Sequence, residues 1–379
     1  MKKEKKISLL SILKTRWWLV KEQDSIKYGI IKNLTNFCIY LPQPIRKKVL
    51  TVIDKLTIIL SRFFLIISQL ISKAYVINGK EKHSKKNIKI LLIGDNKLFP
   101  YLSNLLFLKE PKIEKSFNLF IWNIKKKVNK NNLSIDAVFI KNDRFYSHYF
   151  EKQGYTVIPE WISTTLDVSN SLEKIYKKFS KSVKEDIRKI KKYGYSYEIS
   201  QDPNKLEMFY YKMYIPYISW RYGIFIKYAN FYSIKHLFEQ GGKILFIKRD
   251  NEYFFGGLFL KKKDKIFATY AGIMEGKFDC INQGVIAGSY YYLINYAKNV
   301  GVKSINFGSC RPFIKDGLFS YKRKWGIKIE KTPSENSENY FLKILNDNNA
   351  MKSFLKNNPF IFFENNRINT NAIQQEHKN

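Results

Sequence analysis

The longest apolar run in the chain is Leu56 to Ser72, LTIILSRFFLIISQLIS. Its polar positions, Thr57, Ser61, Ser68, Gln69 and Ser72, fall largely on one side of a helix, so the spacing predicts an amphipathic helix. The run is bracketed by Lys55 and Lys73 and contains Arg62. Its 17 residues fall short of the roughly 20 that cross a bilayer. Residues 1–85 as a whole read as basic and mostly helical, with Trp17, Trp18, Phe37 and Tyr40 as apolar anchors and an interruption at Pro42 and Pro44. The stretch Asn78 to Asn87 is polar and charged, and reads as a linker.

Beyond it the texture changes. Ile88 to Gly94, Phe117 to Trp122 and Ala137 to Ile140 are short apolar runs that predict strands, with a helix over Leu98 to Leu108 between the first two. Tyr146 to Gln153 predicts a helix closed by Gly154, followed by an extended Tyr155 to Ile158. Leu172, Ile175, Phe179, Val183, Ile187 and Ile190 recur at three- and four-residue steps and predict one helix over Ser171 to Tyr193. Tyr195 to Ser200 alternates as a strand does. Leu206 to Ile215 is an aromatic helix expected to break or kink at Pro216, and Phe231 to Gln240 is a further helix. Lys243 to Lys248, Glu252 to Leu260 and Lys265 to Ile273 predict an antiparallel meander. A helix over Gly284 to Val300, a strand over Lys303 to Phe307 and extended pieces over Phe319 to Gly326 and Ile327 to Lys331 complete the pattern. The asparagine-rich residues 332–379 read as a polar tail. Alternating strands and helices place the chain in the α/β class with a central mixed sheet flanked by helices.

Composition narrows the reading less than the charge first suggests. The 379 residues carry 67 Lys+Arg against 32 Asp+Glu, a formal charge of +35, but only ten are arginine. Abundant lysine, isoleucine and asparagine together look like a coding bias. The excess charge still attracts anions: phosphorylated cofactors, RNA or an acidic membrane face. With 45% hydrophobic and 16% aromatic residues, wholesale disorder is excluded. Cys38, Cys280 and Cys310 are odd in number and widely spaced, which excludes a disulfide scaffold and a zinc ribbon and fits a reducing, cytoplasmic compartment. His83, His148, His236 and His377 form no ligand pattern, so no metal site is expected. The N-terminal apolar stretch Ile7 to Leu13 is too short for a secretory signal. For the apolar run at 56–72, packing on the protein's own core, peripheral attachment to the inner, anionic face of a membrane and, last, a transmembrane helix are the readings.

Several residues carry chemistry. Arg188 sits in a basic helix, SKSVKEDIRKIKKYG. Tyr214 and Tyr217 precede Arg221 in FYYKMYIPYISWRYG, and an arginine fork suits carboxylate or phosphate. Ser309 and Arg311 follow a strand end, where sheet proteins place ligands. Lys322 and Lys324 suit an anion. Glu275 and Asp279, in the loop after Ile273, could deprotonate an amine. Plain alternatives stand beside each: a solvated charge for Arg188, a core wall for the tyrosines, surface lysines, solvated loop carboxylates.

The order of these segments resembles the GNAT superfamily of acyltransferases in its FemAB-like branch. The resemblance rests on the basic helix with Arg188, Ala297 with Gly301, the step Asn306-Phe307-Gly308, and Gly317-Leu318 with Lys322 and Gly326. It covers about 170–330 and extends more weakly back to 88. It implies tandem related halves: a degenerate one at 88–165 and an acyltransferase domain at 166–331. Two neighbouring parallel strands would splay, and exposed amides would bind the donor. The resemblance further implies Tyr270 as general acid and Glu275 as base. Ala271, Gly272, Gln283, Gly284, Gly288 and Lys322 would hold the donor, while Arg188, Tyr214, Tyr217, Arg221, Ser309 and Arg311 would hold the acceptor. The acyl-CoA loop is met only approximately by Gln283-Gly284-Val285-Ile286-Ala287-Gly288. Acyl-CoA and aminoacyl-tRNA therefore both stand as donors. The acceptor is a small amine or a cell-envelope precursor, and no metal takes part. A retired GNAT fold that binds an anionic polymer or membrane without catalysis is the reading from another class.

Overall fold

A computed structural model describes residues 66–371 with gaps at 95–97, 130–133, 223–227, 332–337 and 365–366, together with positions 45, 49, 52, 59 and 63. The anchors expected at Trp17, Trp18, Phe37 and Tyr40 and the breaks at Pro42 and Pro44 lie outside the described residues. The chain separates into two compact units, Met1–Leu70 and Ile71–Asn379. In the first, the described positions 45, 49, 52, 59, 63 and 66–68 are helical, and a turn at 69–70 ends the helix.

The second unit is built on two large sheets. The first contains β1 (Ile71–Lys80), β2 (Asn87–Ile93), β3 (Lys112–Phe120), β4 (Ala137–Asp143), β5 (Thr156–Pro159) and β13 (Glu338–Ile344), in the order β3-β1-β2-β4-β13-β5. The second contains β6 (Ile162–Asp167), β7 (Ser196–Ser200), β8 (Lys243–Arg249), β9 (Glu252–Lys262), β10 (Lys265–Ile273), β11 (Ser304–Cys310) and β12 (Lys328–Lys331), in the order β12-β6-β11-β10-β9-β8-β7. The fold is thus mixed α/β in two halves, and each half lends the other a strand. β6 leaves the first half to lie between β11 and β12, while β13 leaves the second to lie between β4 and β5. Burial explains the exchange. Tyr340, Phe341 and Leu342 of β13 are at most 3% exposed in the first core, which no polar tail could complete.

Four expectations change accordingly. Residues 332–379 are not a tail: they supply β13, the helix Asn349–Asn357 and the hairpin β14 (Ile361–Glu364) with β15 (Arg367–Thr370). The first half begins at Ile71 rather than 88. The supposed linker Asn78–Asn87 is the end of β1, a tight turn and the start of β2. There the fully buried Glu81 carboxylate accepts the backbone N–H groups of His83 (3.2 Å) and Ser84 (2.6 Å). The piece Phe319 to Gly326, expected to be extended, lies mostly in the helix Gly317–Arg323, capped by Asp316, whose carboxylate accepts from Phe319 N at 3.0 Å.

Helices that position the site are α1 (Leu172–Lys177), α2 (Lys181–Lys192), α3 (Pro203–Met208), a π-helical turn Phe209–Tyr214, α4 (Ile215–Tyr222), α5 (Phe231–Glu239), α6 (Val285–Asn299) and α7 (Gly317–Arg323). The single helix expected over Ser171–Tyr193 is two, because Ser180 caps α2 through its side chain on Val183 N. Pro216 does not break the aromatic helix. It has no N–H for the carbonyl of Lys212, four residues back. The widened π turn absorbs the ring, and Lys212 O instead accepts from Glu275 N, just past β10, at 2.8 Å. That bond ties the aromatic helix to the end of the strand beside the site.

Candidate active site

The parallel strands β10 and β11 pair through only three residues, Lys265 with Ser304, Ile266 with Ile305 and Phe267 with Asn306. Past Asn306 they part. The corresponding parallel pair of the first half, β2 with β4, stays zipped from Ile90–Ala137 to Ile93–Ile140. The difference lies in what pulls on β11. Asn306 Nδ2 donates to Ser163 Oγ of β6 at 2.7 Å, and Asn306 Oδ1 accepts from Gly308 N at 2.7 Å. This bends the chain at Gly308, whose φ of 77° is a left-handed conformation natural to glycine. Thr164 Oγ1 (2.7 Å) and Lys322 Nζ (3.1 Å) then both donate to Gly308 O, and Lys322 Nζ also donates to Ser309 O at 3.1 Å. β11 is drawn toward β6 and away from β10. On the other side, β10 shifts register against β9 between Ala268 and Tyr270, a bulge pinned by Thr269 Oγ1 donating to Leu258 O at 2.9 Å.

A cavity of about 140 Å³ lies beside this divergence, over β9 and β10, walled by Phe255 and Phe259 of β9, Ala268 and Tyr270 of β10, Phe307 of β11 and Tyr290 of α6. Its lining is mostly apolar, which suits an acyl arm. Tyr290 stands between Phe307 (ring centroids 4.3 Å, 21°) and Trp325 (5.0 Å, 24°), with Tyr321 edge-on at 5.6 Å. Burial holds the Tyr290 and Tyr321 phenols protonated well above their ordinary range. The Tyr321 hydroxyl and the indole N–H of the fully buried Trp325 are both sealed from solvent without hydrogen-bond geometry to any protein acceptor. The two groups face each other, and the indole N–H toward the Tyr321 oxygen opposes part of the rise in its pKa. Lys322 is 3% exposed, and burial lowers its pKa to about 8, with a smaller push in the same direction from Arg221. Of its three ammonium hydrogens, two go to the carbonyls of Gly308 and Ser309.

The expected residues distribute unevenly around this centre. Tyr270 and Ala271 line the cavity. Tyr270 is set edge-on to Tyr214 at 5.5 Å, and the Tyr214 hydroxyl accepts from Ala229 N at 3.0 Å. Tyr217 is buried and accepts from Arg221 Nη1 at 2.7 Å, and the Arg221 charge reaches Tyr290 and Lys322. Gly272 faces the opposite way: a Cβ there would lie 2.5 Å from Met213 C and Tyr214 N, so the residue lets β10 touch the π turn. Its cross-strand partner Gly256 does the same against Phe209 at 2.6 Å. Gly284 and Gly288 are likewise filled from within. A Cβ on Gly284 would meet Asp186 O of α2 at 3.0 Å, and one on Gly288 would meet Ile247 at 3.0 Å. Gln283 is engaged by Tyr195 OH (2.5 Å) and Arg249 Nη1 (3.3 Å). On their side-chain side these three positions therefore pack into the fold.

Arg311 does not join the cavity. Its guanidinium pairs with Glu160 at 2.9 Å, donates to Tyr340 OH at 2.6 Å, and lies over Trp161 (3.9 Å) and Tyr101 (4.7 Å). Glu160 and Glu338 in turn hold the buried Lys141, at 3.2 and 3.1 Å. Arg311 thus clamps the second sheet to the first where the strands are exchanged. Arg188 and the Glu275 side chain are exposed, and Ser309 enters through its backbone. Tyr290, Tyr321 and Trp325 went unnamed in the sequence. Their periodicity marks only helix and core, and no local motif signals that α7 folds back over the open strand pair. Among the described residues, no group of three or more His, Cys, Asp or Glu could hold a metal ion.

No family model matches the sequence, and no curated protein matches it. Solved structures do. FemX is 15% identical over 73% of this chain and 85% of its own, with a TM-score of 0.38. The C-terminal domain of a putative lysylphosphatidylglycerol synthetase from Agrobacterium fabrum is 12% identical over 75% and 85%, with a TM-score of 0.37. A tandem GNAT protein from the clavulanic acid biosynthesis pathway is 7% identical over 63% and 76%, with a TM-score of 0.29. Likenesses of this size say nothing of donor or acceptor. By its own strand order and the parallel pair that opens past Asn306, the chain has a mixed α/β fold in two interlocked halves.

Proposed function

We propose that the second half transfers an acyl group from an activated donor to an amine without a metal. The observation that supports this most is the opening between β10 and β11, bordered by an apolar cavity on one side and by Lys322, Tyr321 and Arg221 on the other. The donor's acyl arm lies in the opening, where strand amides of β10 past Phe267 have no β11 partner in the ladder. The amine attacks the carbonyl carbon and the carbonyl oxygen gains charge. The third N–H of Lys322 stabilises that charge, in a site dry enough to strengthen the interaction. The tetrahedral intermediate then expels its leaving group, a thiolate or a ribose oxygen. The Tyr321 hydroxyl, buried and protonated, supplies the proton. The amine's own proton leaves to solvent at the mouth of the cavity, and solvent returns a proton to the Tyr321 phenolate.

Acyl-CoA is the first reading for the donor. Aminoacyl-tRNA, with an envelope precursor as acceptor, is the second, and one observation favours it: Gly284 and Gly288 are accounted for by close packing on α2 and β8, without recourse to a pyrophosphate. The formal charge of +35 suits the phosphates of an RNA. The test is donor turnover by the full chain. Acetyl-CoA and a pool of radiolabelled aminoacyl-tRNAs are each incubated with a mixture of primary amines. Thiol release or amine-dependent transfer of label is followed, and thermal unfolding is recorded with each donor. Turnover of either donor supports acyl transfer and identifies the donor class. Turnover of neither, with no shift in unfolding by either, overturns it and leaves the non-catalytic scaffold.

A further inference from the structure

Resting on the acyl-transfer reading, we propose that the cavity beside the β10–β11 opening selects the donor by its acyl group, admitting an uncharged hydrocarbon chain of about six carbons, with Phe255 setting the length. Ala271, Gly257 and Leu245 stand in one row across β10, β9 and β8, so the cavity runs across the strands under α6. Its two ends differ. Thr269 and Ala271 are exposed, on the part of β10 that has no β11 partner in the ladder. Leu245 and Phe255 are each 2% exposed. The mouth is therefore at the opening, and the blind end lies over β8 and β9. The Phe255 ring lies over Gly257, where a Cβ would come within 3.0 Å of it. That ring fills the blind end, and its bulk decides how far a chain can reach.

Volume and polarity name the occupant. An apolar cavity of about 150 Å³ stays dry and takes one benzene ring. This cavity is about 140 Å³, which corresponds to about six carbons. Its aliphatic hydroxyls are already engaged: Thr269 Oγ1 donates to Leu258 O at 2.9 Å and Ser289 Oγ to Ile286 O at 2.7 Å. Among the described residues that line it there is no Asp, Glu, His, Lys or Arg. An ammonium or carboxylate on the acyl group would enter without a counter-charge, at a large cost in lost hydration. An acetyl group would leave most of the apolar wall unused. A thioester of a medium hydrocarbon chain meets both conditions. The amine forms its amide bond to the carbonyl carbon at the mouth, the C–S bond breaks and the thiol leaves, while the chain stays in the cavity.

The experiment gives the full chain acetyl-CoA, hexanoyl-CoA, decanoyl-CoA and a pool of radiolabelled aminoacyl-tRNAs, each with a mixture of primary amines, and records thermal unfolding with each thioester. A methylene taken out of water is worth about fourfold, so the four that separate hexanoyl from acetyl should raise kcat/KM by about a hundredfold or more. Decanoyl-CoA should fall about tenfold below hexanoyl-CoA, because its last methylenes find no room. Phe255→Leu should recover about tenfold of that loss. Ser289→Leu, which fills the cavity from α6, should lower the hexanoyl-to-acetyl ratio by about tenfold, and circular dichroism checks that both variants keep their fold. Acetyl-CoA used as well as hexanoyl-CoA overturns the inference and leaves acyl transfer standing. Transfer from aminoacyl-tRNA with no thioester turned over does the same. A chain-length profile unchanged in both folded variants also overturns it. If nothing is turned over, a larger rise in unfolding temperature with hexanoyl-CoA than with acetyl-CoA, lost in Ser289→Leu, supports the selection by itself, and its absence overturns it.

Discussion

Replacing Lys322 by methionine separates the electrostatics of this site from its shape. The lysine is 3% exposed, and burial takes its pKa from 10.5 in the unfolded chain to about 8 in the fold. A drop of that size corresponds to roughly 3 kcal/mol of differential interaction. Its sign is set by linkage. Between pH 8 and 10.5 the unfolded lysine keeps a proton that the folded lysine has released. The unfolded state binds more protons there, so stability rises with pH across that window. Below pH 8 both states are protonated, and the fold bears the full cost of holding an ammonium out of water. Methionine is similar in length, carries no proton and removes this dependence. The parent is therefore expected to gain about 3 kcal/mol relative to Lys322→Met between pH 7.5 and 10.5. At neutral pH the variant should be no less stable than the parent by more than about 1 kcal/mol, because both carbonyls lose the ammonium but Gly308 O keeps Thr164 Oγ1 as a donor. Denaturant midpoints of both proteins, measured from pH 7 to 10.5 and converted with their own slopes, give the difference directly. Tyrosines titrate in both chains and cancel. A stability difference that does not change with pH would refute the buried-ammonium reasoning. Acyl transfer by the parent should decline as pH rises through about 8, while Lys322→Met stays inactive throughout.

Three further outcomes follow from particular contacts. Gly272→Ala should cost about 3 kcal/mol, because the new methyl meets backbone atoms Met213 C and Tyr214 N that cannot move alone; Gly317→Ala, with nothing within 4 Å, should be neutral or slightly stabilising, and chemical denaturation of both variants checks the contrast. Arg311→Ala should destabilise by about 2 kcal/mol through loss of the Glu160 pair while leaving KM for either substrate unchanged, as paired unfolding and kinetic measurements would show. Tyr321→Phe should lower kcat about a hundredfold with stability equal or higher, since it deletes a buried hydroxyl without an acceptor; an unchanged kcat would remove the proton-donor role.

Much of the second half was legible because its elements announce themselves locally. The meander of β8, β9 and β10 alternates between apolar runs and charged turns, and α6 carries its own glycine stops. β6 was not legible. Its sequence ISTTLD is too polar to read as a central strand, yet Ser163, Thr164 and Thr165 are at most 5% exposed, their hydroxyls bonded to Asn306, Gly308 and Glu330. β13 escaped for the opposite reason: it sits among asparagines and glutamates, and only a partner sheet distant in sequence turns Tyr340–Leu342 into core. The site divides the same way. Tyr270, Ala271, Arg221 and Lys322 could be nominated from residue type and position, whereas Tyr290, Tyr321 and Trp325 could not, because their chemistry lies in being packed together.

The sequence by itself determined the α/β class, the order of most elements in the second half and the basic, amphipathic character of the N-terminal run, all consequences of periodicity and turn residues acting over a few neighbours. The tertiary structure alone decided which parallel pair opens, because that depends on Ser163, Thr164 and Lys322 reaching Asn306 and β11 from elements far away in the chain. It also decided that Gly284 and Gly288 serve packing and that Arg311 serves as a clamp. A glycine or an arginine looks the same in sequence whatever faces it; its role is set by the neighbour the fold brings within reach.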